Sequence, residues 1–369
     1  MKSGADVVIV GAGPAGIATA IAASTKGFRV TVIDSRKPPI DKACGEGLLP
    51  EGVAALGTLG IELDSRRAFP FSGFRFTDDE SSATAKFTHG RAFGIRRTTL
   101  HQLLIERANE VGVSFVWNSR VSNFEQGRLR VNGRTLAYKW LVGADGQHST
   151  VRKWTGLDSR WRGRSRFGFR RHFSIAPWSD VVEVHWGHRC QVFVTPTSPG
   201  EICLGLLSDR SRFRIDDALA VFPELRKRLA GVLPATAELG NLTALRPARA
   251  VVRGRVALVG DASSTVDGIA GKGLSLAFQQ ALLLAEAIAQ DNPSHYAAAH
   301  RRIAAPAERI TRLLLLLDRN AWLRRKTLRL FEKRPALFSK LISGQIDAAD
   351  PQALKPSDIF TLGLQVLRA

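Results

Sequence analysis

Asp6-Val7-Val8-Ile9-Val10-Gly11-Ala12-Gly13-Pro14-Ala15-Gly16 is the stretch whose reading decides the fold. Val7 to Val10 form a β-branched apolar run, too short for a helix and stopped at once by glycine, as a strand buried on both faces reads. Gly11, Gly13 and Gly16 follow in GxGxxG spacing. Gly11 permits a tight turn, Gly13 lets backbone approach a pyrophosphate, and Gly16 lets a helix pack closely on the strand. Pro14 stands in the first helical turn, where its missing N–H is tolerated. The N–H groups of that helix end face an anion. An Ala-rich helix from Ala15 to Ser24 stops at Gly27, and a second β-branched strand, Val30 to Ile33, ends in Asp34. That carboxylate is placed to accept a hydrogen bond from an adenosine ribose hydroxyl. Glycine turns are common, but strand, turn, helix, strand and acidic end in this order read as a nucleotide-binding βαβ unit.

The chain of 369 residues is long enough for two domains with their own cores. Its 53 Lys and Arg against 33 Asp and Glu give a net charge of +20, a field that favours anionic ligands, anionic lipid or nucleic acid. No nucleic-acid motif accompanies the charge, so no nucleic-acid partner is expected. Cys44, Cys190 and Cys203 are too few and too odd in number for a disulfide framework. No metal site is expected. No run approaches the length that crosses a bilayer, and the first strand begins almost at Met1, so a cytoplasmic chain without a cleaved leader is expected.

Further along, Ser35 to Lys42 is polar and broken by two prolines. Cys44-Gly45-Glu46-Gly47 reads either as a tight surface turn or as a loop beside a cofactor ring. Glu51 to Leu63 has helical spacing, and Phe74 to Phe87 alternates about a turn at Asp78 to Ser82, as in a hairpin of a second domain. Arg97, Leu100 and Leu104 share one helical face, in a helix over Thr99 to Val111 that stops at Gly112. Ser114 to Trp117 reads as a third parallel strand, Val121 begins the next, and Asn132-Gly133 turns a small hairpin. Trp140 to Gly146 runs from strand into loop, with Asp145 as a cap for the helix that follows. Short alternating runs, Phe167 to Phe173, Val181 to Trp186, Gln191 to Val194 and Ile202 to Leu207, predict an antiparallel sheet. Phe169, Phe173, Trp186 and Phe193 are either its core or the wall of a substrate cavity. Arg162, Arg164, Arg166, Arg170 and Arg171 form either a solvated basic face or a site for an anionic group. Arg255 to Ala262 is another buried strand, ending in Gly260-Asp261 and followed by Gly268, Gly271, Gly273 and a helix over Leu274 to Ile288. Beyond Pro293 the chain is helical and basic. Leu313 to Leu317 is all leucine, and Arg319 to Lys340 reads either as a helical cap or as a membrane-surface contact.

The Cys-Gly-Glu-Gly loop, the Gly143-Ala144-Asp145-Gly146 element continued by Ser149, Val151 and Arg152, and Gly260-Asp261 join the opening βαβ unit in one series. Over residues 6 to about 285 the chain resembles the FAD-dependent monooxygenases and their geranylgeranyl-reductase-like and halogenase-like relatives, with the p-hydroxybenzoate hydroxylase-type FAD fold. The fold so implied is α/β. A Rossmann-like FAD-binding domain is drawn from 1–70, 96–155 and 246–292, an antiparallel β-sheet substrate domain from 71–95 and 156–245, and a C-terminal helical region from 293–369. A disulfide-reductase architecture would need a second GxGxxG unit, and none is found. The resemblance implies FAD, with NAD(P)H as electron donor. It places Arg97 against the phosphates or adenine side, the Val121 amide against adenine, Asp145 near the pyrophosphates and Asp261 on the ribityl chain. Gly271, Lys272 and Gly273 would give N–H groups to the N1 and C2 carbonyl edge of the flavin. Val266-Asp267-Gly268 stands where the family has proline, and Asp267 is expected to face the substrate side.

The activity implied is hydroxylation of an aromatic, polyketide-like or lipid-like substrate through a flavin C4a-hydroperoxide. The alternatives are reduction of polyprenyl double bonds and a flavoprotein that acts on or binds a partner polypeptide. Cys44 and Glu46 are the catalytic candidates. Glu46 moves a proton if burial raises its pKa; Cys44 sits by a substrate alkene or is a small apolar filler. The chain lacks the Trp-x-Trp-x-Ile-Pro signature of tryptophan halogenases. Gln191, Phe193, Thr195 and Pro196 stand where the geranylgeranyl-reductase branch has Tyr-x-Trp-x-Phe-Pro. Substrate identity, NADH against NADPH and oligomeric state are left open, with a monomer or weak association expected.

Overall fold

A computed structural model of the protein describes residues 5–125, 127–158 and 163–346. Ala5–Val10 lies inside an eight-stranded sheet, flanked in parallel by Val30–Ile33 and Arg134–Gly143, with Val7 opposite both Val30 and Trp140. Ser114–Val116 and Val256–Leu258 extend the parallel array on its two sides. Because side chains alternate along a strand, Val7 and Ile9 pack one way and Val8 the other. The first face is covered by helices α1 (Pro14–Thr25), α2 (Pro50–Thr58) and α3 (Arg97–Glu110). The second is covered by a β-flap and by the short helix α4 (Thr150–Trp154).

The flap explains one departure from the sequence reading. Val121–Glu125 pairs antiparallel with Arg128–Val131, so it belongs to the flap and not to the parallel sheet. Ser122, Asn123 and Glu125 are exposed, and a strand that polar is not buried on both faces. Across Asn132-Gly133, both with positive φ (47° and 80°) as a tight hairpin turn requires, the chain enters Arg134–Gly143. That strand pairs first with the flap and then with Ala5–Val10. A second departure is α2, which ends at Thr58, not Leu63. Gly60 takes φ 79° just past the helix end, the left-handed exit that glycine allows.

The second sheet has seven strands. From Leu239–Thr243 it runs through Arg166–Phe173, Glu201–Ser208, Cys190–Ser198 and Val182–Gly187 to the hairpin Gly73–Thr77 and Ser82–Lys86. The four runs that predicted an antiparallel sheet pair antiparallel with one another, and the one parallel contact is where Val182–Gly187 meets the hairpin strand Gly73–Thr77. Those two strands are far apart in sequence, so no tight turn fixes their relative direction. Helices α5 (Ile215–Val221) and α6 (Pro223–Arg228) pack on one side of this sheet.

After α7 (Gly273–Ala289) returns to the first sheet, α8 (Pro293–Arg319), α9 (Ala321–Lys333) and α10 (Pro335–Ile346) cover the other side of the second. Leu314, Leu317, Leu328, Phe331 and Phe338 bury against Phe76, Val184 and Trp186. Arg325 and Arg329 pair with Glu80 at the hairpin tip. Among the described residues no helix is long and apolar enough to cross a membrane.

Candidate functional site

A cavity of about 1210 Å³ opens between the two sheets, bounded at one end by the glycine turn and at the other by the C-terminal helices. Ligand pockets for one small molecule span about 300–1,000 Å³, so this one has room for more than one. Gly11, at φ 108°, lies so close to Ala144 that a Cβ would collide with its carbonyl oxygen. A Cβ on Gly16 would strike the carbonyl of Gly11. Gly16 therefore sits behind the turn, while Gly11, Gly13, Pro14 and Ala15 wall the cavity. Helix α1 starts at Gly13 with no side-chain cap, and a Cβ there would meet nothing within 4 Å. The first-turn N–H groups of a helix have no partner inside it.

Asp34 closes the turn. The Ala12 N–H donates to one carboxylate oxygen at 2.8 Å and the Arg36 N–H to the other at 2.8 Å, and the residue still walls the cavity. A carboxylate accepts about four hydrogen bonds, so capacity for a sugar hydroxyl is left. His101, which the sequence reading passed over, holds the same turn by donating from Nε2 to the Ala12 carbonyl at 2.8 Å. Burial lowers its pKa from the ordinary imidazole value. Arg97 and Val121 also wall this end. The Nε of Arg97 is buried with no hydrogen-bond partner among the described residues, a donor awaiting an anion.

Asp145 receives the N–H of Thr150 at 2.6 Å and of Val151 at 3.2 Å, while Ser149 is the formal cap of α4. Its carboxylate serves the helix, and the residue borders the cavity. At the far side of the same end, Gly260 adopts φ 58° and donates its N–H to Gln280 at 2.6 Å. Gln280 in turn meets His300, which contacts Ser263 at 3.0 Å. Asp261 pairs with Lys42 at 3.2 Å, a lysine the sequence reading left in an irregular stretch. Gly271, at φ 63°, and Lys272 lead into α7, which starts at Gly273 without a side-chain cap. All three border the cavity, and the Lys272 ammonium lies 3.2 Å from Glu51.

Asp267 does not face the substrate side. It is buried, caps the turn at Ile269 at 3.0 Å and pairs with Arg166 at 3.1 Å. Arg166 also reaches Gln191 at 2.5 Å and Asp318 of α8 at 3.4 Å. Two members of the arginine cluster, Arg166 and Arg170, are thus buried in ion-pair networks and are no solvated face. Arg171 pairs with Asp216 at 2.6 Å, Arg164 is exposed, and Arg162 lies outside the described residues. Alternation puts Arg166, Gly168, Arg170 and His172 on one face of their strand, but it does not say which segments close over that face.

Arg170 belongs to the network around the Cys-Gly-Glu-Gly loop. Glu46, fully buried with φ 58°, accepts the Arg97 N–H at 3.0 Å and meets His172 Nε2 at 2.6 Å. Arg170 donates to His172 Nδ1 at 3.1 Å and to Asp41 at 2.6 Å. A guanidinium cannot accept, so Nδ1 carries the lone pair and Nε2–H donates to Glu46. Glu46, His172 and Cys203 present ligand-type atoms within 4.8 Å of one another. The Arg170 cation already stands 3.8 Å from Glu46, where a metal ion would compete with it, and burial raises the pKa of the Cys203 thiol well above its ordinary value. Cys44 walls the cavity and accepts the Glu46 N–H at 3.4 Å.

The other arm of the cavity is apolar. Phe71, Phe74 and Phe76, with edge-on ring contacts at 6.2 and 6.3 Å, line it together with Leu314, Leu317 and Phe331. Phe169 and Phe193 border the cavity as well, whereas Phe173 and Trp186 are core.

Two uncapped helix ends, an orphaned arginine donor and a glycine turn that admits backbone contact fit a dinucleotide diphosphate. Residues 4–228 match the family described as "FAD binding domain". A menaquinone reductase of Mycolicibacterium smegmatis is 28% identical, with 81% of this chain and 80% of that protein covered. Digeranylgeranylglycerophospholipid reductase 1 of Methanococcoides burtonii is 25% identical over 80% of this chain and 78% of its own length. Among solved structures, a flavoprotein/dehydrogenase of Cytophaga hutchinsonii superposes with a TM-score of 0.79 at 18% identity, covering 92% of each chain.

Proposed function

This chain belongs to the FAD-binding-domain family, and on that premise we propose that it is an FAD-dependent oxidoreductase that reduces a carbon–carbon double bond in an isoprenoid chain. The observation that carries the reading is the two-ended cavity, polar and rich in N–H donors at one end, lined by phenylalanine and leucine at the other. The similarity to two reductases, one of them named for a geranylgeranyl lipid, points the same way.

In this reading Gly11, Gly13, Pro14, Ala15 and the end of α1 take the diphosphate, with Gly16 letting the helix come close. Asp34 takes a ribose hydroxyl, Arg97 supplies its free Nε to a phosphate, and Val121 borders the adenine side. Asp145 orders α4 beside the diphosphate, Gly260 and Asp261 take the ribityl chain, and Gly271, Lys272 and Gly273 turn positive N–H groups toward the ring. FAD held by these residues would supply the two-electron chemistry, with NAD(P)H as the source of reducing equivalents for the double bond. The apolar walls orient the chain and exclude water. Cys44 holds a proton at the cavity wall, for the carbon that does not receive hydride. Glu46 is a positioning residue, because its carboxylate oxygens already accept from Arg97 and His172.

Oxygenation is the second reading. The rings of Phe71, Phe74 and Phe76, in edge-on contact at 6.2 and 6.3 Å, line that arm and suit an aromatic substrate. One experiment separates the two. Holoprotein is incubated with geranylgeraniol in detergent, once anaerobically after chemical reduction and once in air with NADPH, and products are weighed by mass spectrometry. A gain of two hydrogen atoms without oxygen supports reduction, and a gain of one oxygen atom in air supports oxygenation. Recovery of unchanged geranylgeraniol in both arms would defeat the proposal.

A further inference from the structure

Helix α8 turns a mixed face outward at its C-terminal half. Arg309, Arg312, Leu313, Leu316 and Arg319 are exposed on it, while Thr311, Leu314 and Leu317 are buried beneath. Leu313 is 42% exposed, Leu316 50%, and Trp322 at the start of α9 also 50%. Leucines left in water at this level are ordinary one at a time. Here they are adjacent and ringed by cations. Arg309 and Arg319 make no ion pair among the described residues, Arg312 pairs only with Glu308, and Lys326 lies 5.8 Å from the Trp322 ring. Leu313 is 42% exposed and also lines the cavity, so this face adjoins the apolar arm.

We propose that this face docks on an anionic lipid surface and is the port through which an apolar substrate passes from the bilayer into the cavity. The port half rests on the isoprenoid reading above; the docking half does not. Charge favours lipid over a second copy of the chain, because a self-complementary contact would bring Arg309, Arg312 and Arg319 against their own kind. Long arginines can keep their heads among phosphates while their stems cover the leucines, and tryptophan suits the same boundary.

The test uses holoprotein and vesicles of phosphatidylcholine with or without phosphatidylglycerol, read by flotation at low salt and again at high salt. Wild type should float with the anionic vesicles and release with salt. The double variant Leu316→Glu/Arg319→Glu, at positions outside the cavity wall, should bind them about tenfold more weakly or worse. It should turn over detergent-dispersed substrate as wild type does, yet lose turnover of the same substrate embedded in vesicles. Failure of wild type to bind anionic vesicles, or binding that the variant leaves intact, would overturn the docking. A dimer that the variant dissolves while vesicles go unbound would also overturn it, assigning the face to a second copy. Unchanged turnover of embedded substrate by a variant that no longer binds would overturn the port. Vesicle binding by a protein that turns over no isoprenoid would sink the proposed function and leave the docking standing.

Discussion

Glu46 shows how a residue's chemistry is decided by its partners. Its backbone is left-handed at φ 58° between Gly45 and Gly47, a conformation that costs a side-chain-bearing residue about 1–2 kcal/mol. The strain is offset by bonds to Arg97 and His172 and by the nearby Arg170 cation. Replacing Glu46 with alanine removes these charge-assisted bonds, and chemical denaturation should show a loss of about 1.5–3 kcal/mol. A variant as stable as wild type would mean the clamp is idle. Arg97 makes the complementary case, because its free Nε contributes nothing to the protein until an anion arrives. Arg97→Met should leave the denaturation midpoint near that of wild type. It should weaken FAD binding by about tenfold to a hundredfold, read by quenching of flavin fluorescence on titration.

Among the elements, α8 carries the clearest division of labour. Its five leucines look alike in sequence, yet Leu314 and Leu317 are buried against the second sheet and Leu316 is half exposed. Leu314→Ala and Leu317→Ala should each cost about 2–5 kcal/mol through the cavity they leave. Leu316→Ala should stay within about 0.5 kcal/mol of wild type, all three read from urea midpoints. The same helix carries His300, which joins Gln280 of α7 to the turn after Gly260. Burial lowers its pKa from the ordinary 6.5 to about 4. As pH falls the unfolded chain therefore takes up this proton before the folded one does. The contribution is complete above pH 6.5 and is lost as pH falls toward 4, about 1.4 kcal/mol for each pH unit at most and roughly 3 kcal/mol in all. Urea titrations across that window should show the slope in wild type and a shallower one in His300→Gln.

At the scale of the molecule, both sheets and the C-terminal helices contribute wall to one cavity. A ligand that bridges them binds only the closed arrangement, so it stabilises the chain by mass action. At a hundred times its dissociation constant FAD should add about 2.7 kcal/mol. In calorimetry the transition of the FAD-free protein should move upward with FAD concentration as a whole. A scan in which FAD shifts only one part of a split transition would show that the second sheet and helices α8 to α10 unfold apart from the nucleotide end.

What the sequence determined by itself is local. Val7 to Gly16 announces a buried strand, a turn and an anion-binding helix end because glycine spacing and β-branching act on neighbouring backbone. Leu274 to Ile288 and the hairpin about Asp78 were legible for the same reason. So was the positive-φ turn at Asn132-Gly133. Contacts between distant positions were not legible. Nothing near Arg166 or Arg170 in the chain shows that Asp267, Asp318, Asp41 and Glu46 will surround them, so the run of arginines stays open between a solvated face and an anion site. Nor does the leucine run say which of its members will face a sheet assembled from residues 73–86 and 182–208. Tertiary structure decided these matters, because burial of a charge or an apolar group depends on which remote segments close over it, and that closure is a property of the assembled sheets.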